Sequence, residues 1–185
     1  FPTFADSDML LVKLGASGTV QWSRRYDLSE CYGGAGCDGA GSVVQTSDGN
    51  FVIGQNYYYT DYRTGATHSY GFLLKVDSSG NVLNSWVLND EVAQFWISDL
   101  LVTADGGVLI WGSTATGKLL ARLDASGTVT WKRGYSFPQG SDAPVIGKTP
   151  DGGFLLLGSI FLTGRRSGYA VKISGTGDVQ WARAY

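Results

Sequence analysis

The sequence predicts an all-β fold of repeated four-stranded antiparallel blades, and three observations lead to this prediction. Glycine supplies 27 of the 185 residues, about twice the usual share of roughly 7%. Short runs of apolar, β-branched and aromatic residues are separated by Asp-Gly or Ser-Gly pairs, which supply the positive φ angles that tight hairpin turns need. No segment shows a helical period of apolar residues. Together these features predict many short strands joined by tight turns.

Composition and charge exclude several classes of protein. Hydrophobic residues make up 43% of the chain and charged residues 16%, below the roughly 25% charged residues of an average soluble domain. This balance excludes an intrinsically disordered chain. The net charge of −2 argues against nucleic acid as a partner, because nucleic-acid binders carry a basic excess. No apolar run approaches the roughly 18 residues of a membrane span, so we expect none.

A first hairpin pattern occurs four times along the chain. It contains an apolar strand, a turn ending in Ser-Gly or Thr-Gly, and a second strand that begins with Val. The four copies cover residues 11–22, 74–82, 121–131 and 171–181. The corresponding valines at 20, 82, 129 and 179 are 62, 47 and 50 residues apart. A repeat of this length indicates a modular architecture.

A second hairpin pattern alternates with the first and centres on an Asp-Gly turn. Its copies cover residues 43–54, 101–112 and 146–158. Four hairpins of the first kind and three of the second predict fourteen strands. A period near 50 with four strands per repeat is typical of a β-propeller blade. We therefore predict one propeller-like domain over residues 1–185, with about three and a half blades.

The alternating motifs resemble a known class of repeats. Thr-x-Asp-Gly-Gly-Phe-x-x-x-Gly followed by Val-Lys-Leu-Asp-x-Ser-Gly-x-Val-x-Trp is similar to the degenerate propeller repeats of bacterial and archaeal secreted or cell-surface proteins, which are related to the delta-60 repeats. The resemblance spans roughly Asp8 to Tyr185. It implies a propeller, an extracellular or cell-surface setting and a non-enzymatic or scaffolding role. It supplies no catalytic motif.

Tryptophan recurs at the end of the first hairpin pattern, at Trp22, Trp131 and Trp181. A large aromatic side chain that returns once per repeat packs between neighbouring blades. This structural role is the prediction, and a ligand platform is the alternative. Asp77 and Asp124 precede the Ser-Gly turns, and we expect their carboxylates to accept hydrogen bonds from local backbone N–H groups.

Cysteine usage points to a disulfide. Cys31 and Cys37 are six residues apart, with three glycines between them, so the segment can fold back on itself. A disulfide between them would imply an oxidising compartment, and two free thiols are the alternative. Two cysteines and one distant histidine do not make a tetrahedral ligand set, so we expect no metal site.

One insertion into the repeat, residues 56–70, is rich in tyrosine. Tyrosine offers contact area at low entropy cost, so the segment suits recognition of a protein or a sugar. The alternative is a long hairpin that packs its tyrosines on a neighbouring blade or subunit. The candidate ligand-binding residues are Tyr57, Tyr58, Tyr59, Asp61, Tyr62, Arg63, His68 and Tyr70.

Catalytic motifs are absent from the sequence. His68 is the single histidine, so a Ser-His-Asp triad would have to lie in this insertion, and a surface polar role is the better interpretation. No zinc-protease, phosphate-binding or nucleophile-elbow motif occurs in its required context. We assign no catalytic residue and expect no cofactor. A glycosidase with paired carboxylates stays open, because propellers host such enzymes.

The odd half blade bears most directly on function. Open sheet edges pair readily with another chain, and propellers usually have four to eight blades. Three explanations compete: a fragment of a propeller of about seven blades, an open assembly, or a closed dimer. The leading hypothesis is a non-catalytic extracellular scaffold or interaction module with a protein partner or self-association through its edge strands. A carbohydrate-binding module and a fragment of a larger propeller enzyme or surface protein are the alternatives.

Overall fold

A computed structural model describes residues 9–26, 37–60, 63–88, 95–114, 117–136, 145–162 and 164–185, with backbone alone for 37–40, 57–60, 67–69 and 162. Within these residues fourteen strands form antiparallel sheets. The prediction of an all-β fold in four-stranded blades, with one half blade, is confirmed. The described part of the chain contains no helix long and apolar enough to cross a membrane.

The chain divides into two compact units, Phe1–Phe95 and Trp96–Tyr185. The first unit contains a two-stranded sheet, here called the half blade, and the first full blade. The half blade consists of β1 (Met9–Leu14) and β2 (Val20–Tyr26). The first full blade consists of β3 (Cys37–Gln45), β4 (Phe51–Thr60), β5 (Thr67–Val76) and β6 (Val82–Leu88). The expectation of one domain over residues 1–185 stays a prediction.

The second unit contains the second and third full blades. The second full blade consists of β7 (Trp96–Val102), β8 (Val108–Thr114), β9 (Gly117–Leu123) and β10 (Val129–Tyr135). The third consists of β11 (Val145–Lys148), β12 (Phe154–Leu162), β13 (Arg165–Ile173) and β14 (Val179–Ala184). In every full blade the strands follow one another in sequence order, so each blade is a meander of short hairpins.

Two kinds of hairpin build each full blade. The first and second strands form the Asp-Gly hairpin, and the third and fourth form the Trp hairpin. Both turn through a glycine with positive φ, such as Gly152 (78°) in the first kind and Gly177 (89°) in the second. Gly177 donates its N–H to Ser174 O at 3.1 Å. Among the described residues, the half blade consists of a Trp hairpin alone.

Each unit has its own hydrophobic core between two sheets. In the first unit Met9 and Tyr26 of the half blade pack with Phe72, Leu74 and Val76 of the first full blade. In the second unit the core joins the second and third full blades, through the side chains Leu109, Trp111, Leu120, Ile146, Phe154, Leu156, Ile160, Tyr169, Val171 and Ile173. The apolar faces that the two sheets of each unit turn toward one another thus hold neighbouring blades together, as in stacked repeats.

Candidate functional site

The Asp-Gly turn of each full blade is tied to the third strand of the same blade. In the third full blade Thr149 Oγ1 donates to Asp151 Oδ1 at 2.5 Å, and Lys172 Nζ lies 2.9 Å from the same carboxylate. The same arrangement links Asp48 to Lys75 at 3.3 Å and Asp105 to Arg122 at 2.6 Å. The repeat therefore provides one carboxylate and one cation at matching positions in every full blade.

These contacts stabilise the ionised form of the aspartates. The hydrogen bond from Thr46 lowers the pKa of Asp48 to about 2, with Lys75 contributing. The hydrogen bonds from Thr103 and Arg122 lower the pKa of Asp105 to about 2. The pKa of Asp151 falls well below its usual range for the same reasons. The turn aspartates are thus held as anions in structural contacts, which does not suit them to proton transfer near neutral pH.

In the Trp hairpins the turn aspartates bond local backbone groups. Asp77 Oδ1 accepts from the N–H of Ser79 and of Asn81, both at 2.8 Å. Asp124 accepts from the N–H of Ser126 and Thr128 in the same way. These hydrogen bonds lower the pKa of both carboxyls. The geometry is that of a turn residue. Among the described residues no cluster of three or more His, Cys, Asp or Glu could hold a metal ion.

An aromatic clasp joins two of the Trp hairpins, the one of the half blade and the one of the second full blade, to the turn of the next blade. The name denotes the Trp, Arg and Tyr that stand at alternate positions along β2, along β10 and at the end of β14. In the half blade, Trp22 Nε1 donates to Ser78 O at 3.0 Å and the Tyr26 hydroxyl donates to Gly80 O at 2.7 Å. A Cβ on Gly80 would lie 2.8 Å from Arg24 Cγ. The clasp therefore closes over a glycine turn that has no room for a side chain.

The second unit repeats this clasp. The Tyr135 hydroxyl donates to Gly177 O at 2.6 Å, and burial raises the pKa of Tyr135 to about 12. A Cβ on Gly177 would lie 2.9 Å from both the Trp131 ring and Arg133 Cγ. Trp22 and Trp131 thus lie against the next blade. In the third clasp Trp181 is partly exposed and lies against Arg183 of its own strand, 5.6 Å from ring centroid to guanidinium.

The half blade departs from the full blades on one face of β1. Leu14 is 55% exposed, whereas its equivalents Val76 and Ile173 are fully buried. Leu10 and Val12 are also exposed, although the corresponding positions in the first and third full blades are buried. We call Leu10, Val12 and Leu14 the leading face. In both of those blades the equivalent face packs on the preceding sheet.

Among the described residues, Lys13 of the half blade has no ion pair of the kind found in each full blade. It occupies the position of Lys75, Arg122 and Lys172, but no described carboxylate pairs with it. Its Nζ instead donates to Ser78 O at 3.3 Å and lies 5.6 Å from the centroid of the Phe51 ring. Among the described strands β1 pairs only with β2, so its other edge has no strand beside it there. Within the described part of the chain, the half blade therefore has an unpaired sheet edge and an exposed apolar face.

A second open surface lies on the third full blade. Tyr185 is 74% exposed, whereas its equivalent Tyr26 is 8% exposed. Leu157, Phe161 and Trp181 are exposed as well, although Trp111, the equivalent of Leu157, is fully buried. The strand register puts these side chains on one side of the sheet. We call Leu157, Phe161, Trp181 and Tyr185 the trailing face.

The predicted tyrosine insertion is a hairpin rather than a loop. Residues 57–60 end β4 and residues 67–70 begin β5, with Tyr57 opposite Tyr70 and Tyr59 opposite His68. Tyr70 is half-buried against the core of the first unit, and Arg63 is exposed. Asp61 and Tyr62 lie outside the described residues, as do the side chains of the other candidates, Tyr57, Tyr58, Tyr59 and His68.

The predicted disulfide falls outside the described part of the chain. Cys37 begins β3, where its backbone pairs with Tyr57, but its side chain is not described. Cys31 lies outside the described residues altogether. The disulfide therefore stays a prediction.

A cleft of about 390 Å³ lies between the Asp-Gly turns of the second and third full blades. Asp105, Arg122, Lys148 and Phe154 line it, with turn residues of both blades. Arg122 is already paired with Asp105 inside its own blade. The cleft is therefore the space between two successive repeats, and the side chain of Arg122 in its lining already has a structural partner.

Sequence reasoning missed the arginine and tyrosine of the clasp. Arg24 and Arg133 are exposed, and each lays its side-chain carbons over the next glycine turn. A signal was present, because Trp, Arg and Tyr recur at i, i+2 and i+4 in three hairpins. Residues at this spacing share one face of a strand, so the three side chains form one contact surface.

Comparison with solved structures supports the fold. The chain is similar to a crystal structure of an ACO/RPE65 chimera, with TM-score 0.54, 11% identity, and coverage of 92% of this chain and 43% of that chain. It is also similar to a crystal structure of a eukaryotic initiation factor, with TM-score 0.50, 17% identity, and coverage of 99% and 44%. The first is a propeller fold, so the predicted propeller-like fold is confirmed.

The likeness to these two structures is limited to the fold and to less than half of their length. At 11% and 17% identity the similarity concerns the fold alone. The chain spans less than half the length of either structure. No family model matches the chain. No curated protein matches it either.

Proposed function

We propose that the chain is a non-catalytic scaffold and interaction module, extracellular or at the cell surface, that self-associates through the open ends of its repeat array. The half blade carries this proposal. Leu10, Val12 and Leu14 are apolar and exposed at positions that are buried in the first and third full blades. Exposed apolar faces at a sheet edge are typical of association surfaces.

The charged groups of the repeat support a structural role. Asp48, Asp105 and Asp151 are each paired with a cation of the same blade. Asp77 and Asp124 accept hydrogen bonds from their own turns. Neither set has the raised pKa expected of a general acid. The extracellular or cell-surface setting comes from the resemblance of the repeats and from the cysteine pair, and it stays a prediction.

Sedimentation velocity of two matched variants tests the proposal. Val12→Lys places a charge in the leading face, and Val129→Lys makes the same change at a position exposed in a full blade. We expect the unmodified chain and Val129→Lys to form species heavier than 19.8 kDa as concentration rises. Val12→Lys should shift this association to at least about tenfold higher concentration, because an unpaired buried charge is costly.

Two results would overturn the proposal. One is a monomeric unmodified chain at every concentration up to about 100 μM, well above the micromolar range of weak specific association. The other is an equal loss of association in Val12→Lys and Val129→Lys, since that would exclude a specific role of the leading face. Circular dichroism of both variants separates loss of association from loss of fold.

A further inference from the structure

The chain contains two exposed surfaces that are equivalent to the two sides of a contact formed between its own repeats. We propose that the aromatic clasp of one copy, Trp181, Arg183 and Tyr185, binds the Gly18 turn of a second copy, so that copies join head to tail. This inference rests on the proposed self-association. The contact would join the last strand of one copy to the half blade of the other.

The chain itself shows the contact in its closed form twice. The clasp of β2 closes on the Gly80 turn, and the clasp of β10 closes on the Gly177 turn. In both cases a tyrosine hydroxyl donates to the glycine carbonyl and the tryptophan ring lies beside the glycine. The contact therefore occurs once in each unit, each time from a strand that carries Trp, Arg and Tyr at alternate positions to the following Trp hairpin.

The Gly18 turn is an unfilled acceptor for this joint. Gly18 has φ 79°, close to the 84° of Gly80 and the 89° of Gly177. Gly18 N donates to Gly15 O at 2.9 Å, the same hydrogen bond that closes the turn at Gly80. No described atom lies within 4 Å of a Cβ built on Gly18. The turn thus has the conformation of the occupied turns without the clasp.

The clasp of β14 is an unfilled donor. Trp181, Arg183 and Tyr185 follow the spacing of Trp22, Arg24 and Tyr26. Trp181 pairs with Lys172 across the ladder as Trp22 pairs with Lys13, so the two clasps occupy the same place on their sheets. The Tyr185 hydroxyl forms no hydrogen bond within the described residues, and the side chain is 74% exposed.

The flanking surfaces match this geometry. The leading face belongs to the same hairpin as Gly18, and the trailing face includes Trp181 and Tyr185. In the second unit the equivalents of these two faces, Trp111 and Val171 among them, form one buried core. A second copy placed by this joint therefore brings two exposed apolar faces together. Because donor and acceptor differ, the contact is heterologous and leads to a ring or an open chain.

Mixing two singly blocked variants tests the direction. The donor-blocked variant carries Trp181→Ala and Tyr185→Ala. The acceptor-blocked variant carries Gly18→Asn, because asparagine tolerates positive φ while its Cβ would meet the incoming clasp. We expect each variant alone to associate at least about tenfold more weakly than the unmodified chain, and an equimolar mixture to form a 1:1 heterodimer that grows no further.

The outcomes separate this inference from the proposed function. Absence of association in the unmodified chain overturns both. Association that persists undiminished in either blocked variant overturns the clasp and leaves self-association standing. Loss in both variants without a heterodimer on mixing also overturns the clasp. Tyr185→Phe is a finer probe, since losing one hydrogen bond of about 1 kcal/mol should weaken association about fivefold without changing the fold.

Discussion

The half blade and the third full blade contain the same Trp hairpin in two different environments. In the full blade, Lys172 is nearly buried and paired with Asp151, and Ile173 is fully buried. In the half blade, Lys13 has no described carboxylate partner and Leu14 is mostly exposed. Similar residues are thus buried and paired in one copy and exposed in the other. The neighbouring strands, and not the sequence of the hairpin alone, decide which of its side chains are buried.

The largest expected difference concerns the buried apolar position. Ile173→Ala should lower the free energy of unfolding of the second unit by about 2–4 kcal/mol, because it leaves a cavity in the core. Leu14→Ala should change it by less than about 1 kcal/mol, since Leu14 is mostly solvated. Urea unfolding at low protein concentration measures both. Equal losses would mean that Leu14 is buried in the isolated chain, against the comparison.

A smaller difference is expected at the glycine turns. Gly177→Asn should cost about 1–3 kcal/mol, because its Cβ would meet the Trp131 ring and Arg133, and such crowding strains a packed contact. Gly18→Asn should cost only a few tenths of a kcal/mol beyond any strain of positive φ, which both sites share. Thermal unfolding of the two variants compares them directly. A Gly18→Asn variant as unstable as Gly177→Asn would show that the Gly18 turn is already occupied.

The smallest expected effect is on the free energy of unfolding at acidic pH. The pKa of Asp105 is about 2 in the folded chain and about 3.9 when unfolded. Because the folded pKa is depressed, its stabilisation is present above roughly pH 4 and disappears as pH falls towards 2. Stability should therefore fall over this window, and fall less steeply in Asp105→Asn. Urea midpoints measured at pH 5, 4, 3 and 2.5 provide the comparison, with an identical slope in both proteins as the contrary result.

The turns and strands of this fold could be predicted from the sequence because they depend on local chemistry. A glycine after Asp or Ser between two short apolar runs marks a tight turn, and Asp77 bonds backbone groups only two and four residues away. The two hairpin patterns therefore located all the full blades and the half blade. The prediction needed no knowledge of distant contacts.

The links across each blade could not be predicted in the same way. Asp48 and Lys75 are 27 residues apart, whereas Asp105 and Arg122 are 17 apart. The spacing varies because the hairpin between the second and third strands varies in length. The repeat aligns the two cations in the sequence, but only the structure shows that each pairs with the Asp-Gly turn of its own blade. The clasp was likewise hidden, because its glycine partner lies 54 residues from Tyr26.

Native mass spectrometry of the unmodified 185-residue chain tests the central claim most directly. If the leading and trailing faces are two halves of one contact, masses at multiples of 19.8 kDa should appear and increase with protein concentration. The acceptor-blocked Gly18→Asn chain should remain near 19.8 kDa under the same conditions. A single species at 19.8 kDa for the unmodified chain at every concentration would contradict the account.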